Sequence, residues 1–348
     1  MSKYRFYIGR YTKNDTDKGI SLVEFDPEKR KLEVISDFWC GASPSFLLKH
    51  GNVLYAANET EEHGAVSVCN INPENGFLTL MGEASVPGIH TCQIAVTGNL
   101  LYAANYSSGS IFGVQLLPDG SFGAICSEIS HTGASTNPSR QEKAHAHSVN
   151  PDPSGERLIV ADLGMDKLMI YRIDYSTGIL LSDETQPCID IPPGEGPRHM
   201  VFHPSGNWLY VVTELGLKVL QYRITNPGEP YILTGTYSLL NESFTSDDTA
   251  ADIHLSPDGK YLYSSVRGKN VIALFEITAE GTLEWVGTYP SFGESPRNFC
   301  ITDDGKYILI AHDRSGDIVV CPIHEETGVL GGKLDHVVLS GASCVIEA

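Results

Sequence analysis

His145 and His147 stand one residue apart in "KAHAHSVNP" (143 to 151), just ahead of an apolar run. That spacing serves a metal clip, a pair of acid–base groups, an anion site, or two polar turn residues bonded to backbone. Three more residues sit at the edges of apolar runs: Arg198 in "GPRHMVF", Glu214 in "YVVTELG" and Arg267 in "SSVRGKN". A guanidinium grips a carboxylate or phosphate through two N–H groups, and it repels a metal cation. A carboxylate or imidazole beside it can move a proton. Each of these residues also has a plainer role, in a structural ion pair or a solvated turn. Which role holds depends on whether the chain brings them together.

The elements that position them repeat. "GNVLYAAN", "GNLLYAAN", "GERLIVAD", "GNWLYVVT", "GKYLYSSV" and "GKYILIAH" begin at Gly51, Gly98, Gly155, Gly206, Gly259 and Gly305, at separations of 47, 57, 51, 53 and 46 residues. Self-similarity at this period marks a repeat architecture. Around each glycine an apolar run, a turn such as "SPDGK", the quoted strand, an alternating strand such as "NVIALFEI", a Gly-containing turn and a more polar strand follow in order. The apolar period is 2, which excludes helical solenoids. Four short antiparallel strands per unit describe a β-propeller blade.

Six units are complete. "FYIGRYT", "GISLVEF" and "KLEVISDF" at the start lack a first strand, and "GASCVIEA" at the end lacks a blade. Together they make a seventh blade that closes the ring without an exposed edge. The expected fold is all-β: one seven-bladed propeller domain over residues 1–348.

Inner strands line the axis, so equivalent positions can be compared within the chain. Eight residues before each anchoring glycine lie Ser43, His90, His147, Arg198, Ala251 and Arg297. Just past the second strand lie Glu59, Tyr106, Leu163, Glu214, Arg267 and Asp313. A basic ring beside a mixed ring predicts a local cationic funnel suited to a small anion. Asn58, Asn105 and Asp162 share one repeat position and are expected to bond local backbone.

Composition narrows the partners. The formal net charge is −19, which disfavours nucleic acid and anionic membranes. No run of 18 apolar residues occurs, and "MSKYRFYIGRYTKND" carries no signal-peptide core, so the expected location is cytoplasmic. Eight cysteines without C-x-x-C spacing read as small buried thiols rather than disulfides or zinc ligands.

On these residues the whole chain resembles the seven-bladed β-propeller lactonases. That family includes the propeller-type bacterial 6-phosphogluconolactonases and carboxy-muconate cyclases. "FYIGRYT", "HAHSVNPDPSGERLIVADLGMDKLMIYRID", "GPRHMVFHPSGNWLYVVTEL", "HLSPDGKYLYSSVRGKN" and "SPRNFCITDDGKYILIAHD" carry the resemblance. It implies a His–Arg–Glu–Arg site at His147, Arg198, Glu214 and Arg267. Arg10, Val266 and the His312–Asp313 pair depart from the family pattern.

The expected activity is hydrolysis of a sugar-acid lactone, 6-phospho-D-glucono-1,5-lactone, in the pentose phosphate pathway. Glu214 is favoured as base and His147 as the partner acid, with the reverse assignment open. Arg198 and Arg267 would hold the oxyanion or the substrate's anionic group. His145, His90 and Arg297 are candidates for phosphate. No metal or organic cofactor is required. The alternatives are a carboxy-muconate lactonising activity at the same site, a calcium-dependent propeller lactonase, or a propeller scaffold without chemistry.

Overall fold

The computed structural model describes residues 3–14 and 17–348; Met1, Ser2, Asp15 and Thr16 of the opening stretch lie outside the described residues. Seven antiparallel sheets form a ring. Blades one to six span residues 44–86, 91–130, 146–190, 197–238, 249–290 and 296–338. In the third, the outer strand is broken into Ile179–Ser182 and Cys188–Asp190, which both pair with Lys167–Asp174. The seventh joins Ala342–Glu347 to Tyr4–Arg10, with Ile8 opposite Val345. Ser343 Oγ donates to the carbonyl of Ser45 at 3.1 Å, tying that closure to blade one.

Burial follows strand position. Second strands such as Val53–Asn58 are buried at every residue, and so read as unbroken apolar runs. Outer strands such as Leu283–Pro290 alternate half-buried and exposed residues after a buried first residue. The apolar clusters form between neighbouring blades; Tyr210, Val212, Leu262 and Phe275 of blades four and five share one.

In five of the seven blades the repeated tyrosine of the second strand locks the blade to the next. Tyr7, Tyr55, Tyr102, Tyr210 and Tyr263 donate to the carbonyls of Gly76, Gly120, Gly178, Gly281 and Gly328 at 2.7 to 3.0 Å. Those glycines turn the outer hairpins at φ between 67° and 83°, a region that favours glycine. Blade three has Ile159 at this position. Arg157 takes over instead, donating to the carbonyls of Gly228 and Glu229 at 2.7 Å while Asp183 balances its charge at 2.8 Å.

One feature of the inner strands decides what faces the axis. Each carries a register shift near its start that releases Ser45, Cys92, His147, Arg297 and Ser343 singly. In blades four and five the same one-residue shift spans a longer unpaired step, with Arg198–His199 facing Val212 and Ala251–Asp252 facing Ser265. A bulge frees a residue from the ladder and re-aims its side chain. The eight-residue count therefore needs correcting in blades one and two. Their turns, "HGN" and "TGN", are two residues shorter, so Ser45 and Cys92 occupy the ring where the count gives Ser43 and His90.

The expectation of free thiols is corrected at one pair. Cys40 and Cys69 form a disulfide across 29 residues of sequence, with Cα atoms 6.7 Å apart. The other six cysteines are free. No spacing motif marks the pair, because the bond joins a loop to a strand of blade one. Asn58, Asn105 and Asp162 do bond local groups: Asn58 Nδ2 reaches the carbonyl of Ala42 at 2.9 Å, and Asp162 accepts from the amide of His145 at 2.8 Å.

Candidate active site

At the mouth where inner strands begin and second strands end, four cationic or imidazole side chains converge on one carboxylate. Glu214 directly follows the strand Trp208–Thr213 and is buried. Arg198 Nε lies 2.9 Å from Glu214 Oε2, although its N–H is not aimed at that oxygen. Arg198 Nη1 instead donates to the carbonyl of Ala251, which the blade-five bulge leaves free. Arg267 Nη2 sits 3.1 Å from the same Oε2 and donates to the carbonyl of Ala250 at 3.0 Å. His147 Nε2 is 3.9 Å from Oε2, too long for a direct hydrogen bond. Arg140 closes the other side, donating to Glu214 Oε1 and to Tyr106 Oη at 3.3 Å.

Charges follow from these contacts. Burial alone would raise the Glu214 pKa; Arg267, Arg198 and Arg140 outweigh it and hold the carboxyl well below the usual range. Burial, with Arg198 and His199 nearby, pushes His147 well below 6.5, and Glu214 offsets this only in part. The imidazole is therefore neutral at pH 7. Burial and Arg267 bring Arg198 down to about 10, so it stays cationic. Three guanidiniums meet one carboxylate and a neutral imidazole, leaving two positive charges unmatched within the cluster. Arg267 and Arg140 are the members that reach the mouth, with side chains 16% and 36% exposed.

The structure thus brings together His147, Arg198, Glu214 and Arg267. It places the remaining candidates elsewhere. His145 stacks on Tyr106 with ring centroids 4.5 Å apart, and bonds the Tyr106 carbonyl and Glu142. It thereby braces Tyr106, whose ring also packs edge-on against His147. His90 lies in the left-handed region at φ 58° and bonds Ser107 Oγ at 2.6 Å, beside a groove of about 800 Å³ over blade one. Arg297 is on the ring but already matched, with Glu59 at 3.5 Å, Asp313 at 4.0 Å and the Tyr11 ring beneath it. Among the departing residues, Arg10 pairs with Asp37, Val266 is core, and His312 is buried 3.2 Å from Asp317.

Sequence reasoning did not single out Arg140 or His199. Arg140 lies on the connection between blades two and three, outside the repeat. The one signal is the 57-residue separation between Gly98 and Gly155, longer than any other in the series. Among the described residues, no group of three or more His, Cys, Asp or Glu is arranged to hold a metal ion, and no helix is long and apolar enough to cross a membrane.

The chain belongs to the lactonase family of seven-bladed β-propellers, whose model matches residues 5–347. It is 30% identical over 347 residues to a 6-phosphogluconolactonase of Formosa agariphila, covering 97% of both chains. It is also 30% identical over 335 residues to that of Bacillus subtilis, covering 95% of this chain and 94% of the other. The solved structure of a periplasmic gluconolactonase of Pseudomonas aeruginosa superposes with a TM-score of 0.92 at 26% identity, covering 99% of each chain. The protein is a lactonase enzyme.

Proposed function

We propose that the protein hydrolyses 6-phospho-D-glucono-1,5-lactone to 6-phosphogluconate, the lactonase step of the pentose phosphate pathway. The observation that carries this reading is the pair of unmatched positive charges beside a neutral imidazole. An anionic lactone supplies the missing negative charge, and the imidazole is free to accept a proton.

The geometry favours His147 over Glu214 as the base. A carboxylate clamped by three arginines sits so far below neutral pH that it gives little driving force for proton abstraction. His147 takes a proton from water as the water oxygen bonds to the lactone carbonyl carbon. Arg267 stabilises the oxyanion that forms. The ring C–O bond then breaks, and the imidazolium returns its proton to the leaving alkoxide. Glu214, 3.9 Å from His147 Nε2, stabilises the transient imidazolium by about 4 kcal/mol at an effective dielectric of about 20. Buried Arg198 holds Glu214, and exposed Arg140 receives the phosphate. His145 supports this arrangement through Tyr106, while His90 and Arg297 border the mouth. No cofactor enters the scheme. A phosphorylated substrate does not cross a bilayer unaided, which supports the cytoplasm as the place of action.

The two unmatched charges would also accept a pair of carboxylates, as a muconate lactonising activity requires. Titration of acid release at constant pH separates the readings. Purified protein should open the phosphorylated lactone well above the spontaneous rate and leave a carboxylated muconate unchanged. Equal rates with and without protein refute the hydrolase.

A further inference from the structure

Behind the cluster, on the axis, lies a second set of buried polar groups with no part in the scheme above. His199 and Asp252 directly follow the ring residues Arg198 and Ala251 at the bulges of blades four and five. Phe46, Gln93, Ser148 and Asn298 hold the corresponding position in blades one, two, three and six, so His199 and Asp252 are the charged and titratable members of an axial layer. His199 Nδ1 lies 2.7 Å from Asp252 Oδ1, and His254 Nε2 lies 2.8 Å from Oδ2. Asn298 Nδ2 also donates to Oδ2. On its other side, His199 Nε2 is 3.5 Å from Arg198 Nη1, and its ring packs edge-on against His147 with centroids 5.3 Å apart. These groups line a cavity of about 270 Å³ with Ser148, Asn150 and Phe46. His254, whose side chain is 41% exposed, marks its outer end.

We propose that Asp252 and His199 form a positioning pair for the lactonase site, fixing the His199 tautomer so that its Nε2 accepts from Arg198 and sets that guanidinium against Glu214. The inference rests on the hydrolase reading only for its kinetic consequence. A carboxylate only accepts hydrogen bonds, so the bonded Nδ1 must carry the proton. Burial and Arg198 lower His199 to about 4, leaving Nε2 unprotonated at pH 7. Burial opposes the charge on His254, but Asp252 outweighs it and raises its pKa. Asp252 is held ionised by His254 and His199 against the cost of burial. A protonated His254 balances the Asp252 charge within the pair and leaves the charge surplus at the mouth untouched. Second-layer partners of this kind select which ring nitrogen is available.

The test combines histidine-selective ¹⁵N NMR on the full chain with three variants. In the wild type at pH 7, His199 should show a neutral ring protonated at Nδ1. In Asp252→Asn the new amide donates to Nδ1 and turns an N–H toward Arg198, so kcat should fall at least tenfold with KM changed less than threefold. His199→Asn keeps the bond to Asp252 but loses the acceptor, and should fall equally. His199→Gln carries an amide oxygen to the Nε2 position and should stay within about threefold of wild type. Both His199 variants should melt at the same temperature. A charged or Nε2-protonated His199, or Asn and Gln variants of equal activity, overturns the proposal. If the wild type does not open the lactone at all, the hydrolase reading fails and the NMR tautomer alone decides the positioning pair.

Discussion

Replacing Glu214 by Gln removes the one negative charge around which the mouth is organised. Arg198, with 2% of its side chain exposed, would then be buried without a counter-ion; Arg140 is exposed enough to turn to water and adds little. Breaking a buried ion pair from one side costs about 3–5 kcal/mol. For 348 residues, an unfolding entropy of about 2.1 cal/mol/K per residue makes each kcal/mol worth about 1.4 °C, so the melting midpoint should drop by about 4–7 °C. Sulfate should restore more of the variant's midpoint than it adds to the wild type's, because the variant has one more unmatched charge. Loss of the imidazolium's partner at 3.9 Å, about 4 kcal/mol, corresponds to a fall in kcat on the order of 10³. Differential scanning calorimetry with and without sulfate, together with acid-release titration, reads both effects. A midpoint within 1 °C of wild type and a rate within threefold would refute the reasoning.

Three further outcomes follow from the site and the fold. With His147 as the proposed neutral base, its lowered pKa should put the acid limb of kcat/KM below 6.5; a limb at or above 6.5 contradicts the proposal. The same depression, shared by His199, means the unfolded chain binds more protons below pH 6.5, so the melting midpoint should fall as pH drops from 6.5 through about 4. Arg140→Met should raise KM at least tenfold for the phosphorylated lactone and less than threefold for unphosphorylated gluconolactone; equal changes would remove Arg140 from the phosphate. Thiol titration of the denatured chain should count six free cysteines without reductant and eight after reduction, and eight in both would exclude the Cys40–Cys69 bond.

The ring was readable from the sequence because propeller blades repeat in register. Buried second strands such as "LYAAN" stand out as apolar runs, and the termini visibly lack what the other supplies. The same register brings His147, Arg198, Glu214 and Arg267 to one mouth. It failed where local geometry departs from the repeat. A fixed count puts His90 on the inner ring because it ignores the shorter turn before Gly98; Cys92 stands there instead. Arg140 sits on an inserted connection, which no blade-to-blade comparison can align. His199 follows Arg198 immediately, and strand alternation would send the two side chains to opposite faces. The bulge at the start of the strand lets both reach the axis, and a bulge leaves no mark in hydrophobic periodicity. The proposed base differs from the one expected from sequence for an electrostatic reason: sequence supplies the arginines around Glu214 but not their distances, and at those distances they hold its carboxyl well below the usual range.

A crystal structure of the protein soaked with 6-phosphogluconate tests the central claim most directly. The account predicts the sugar acid at the Glu214 mouth, with its carboxylate on Arg267 beside His147 and its phosphate on Arg140. Product bound instead in the groove by His90, or in the axial cavity between His199 and His254, would contradict it.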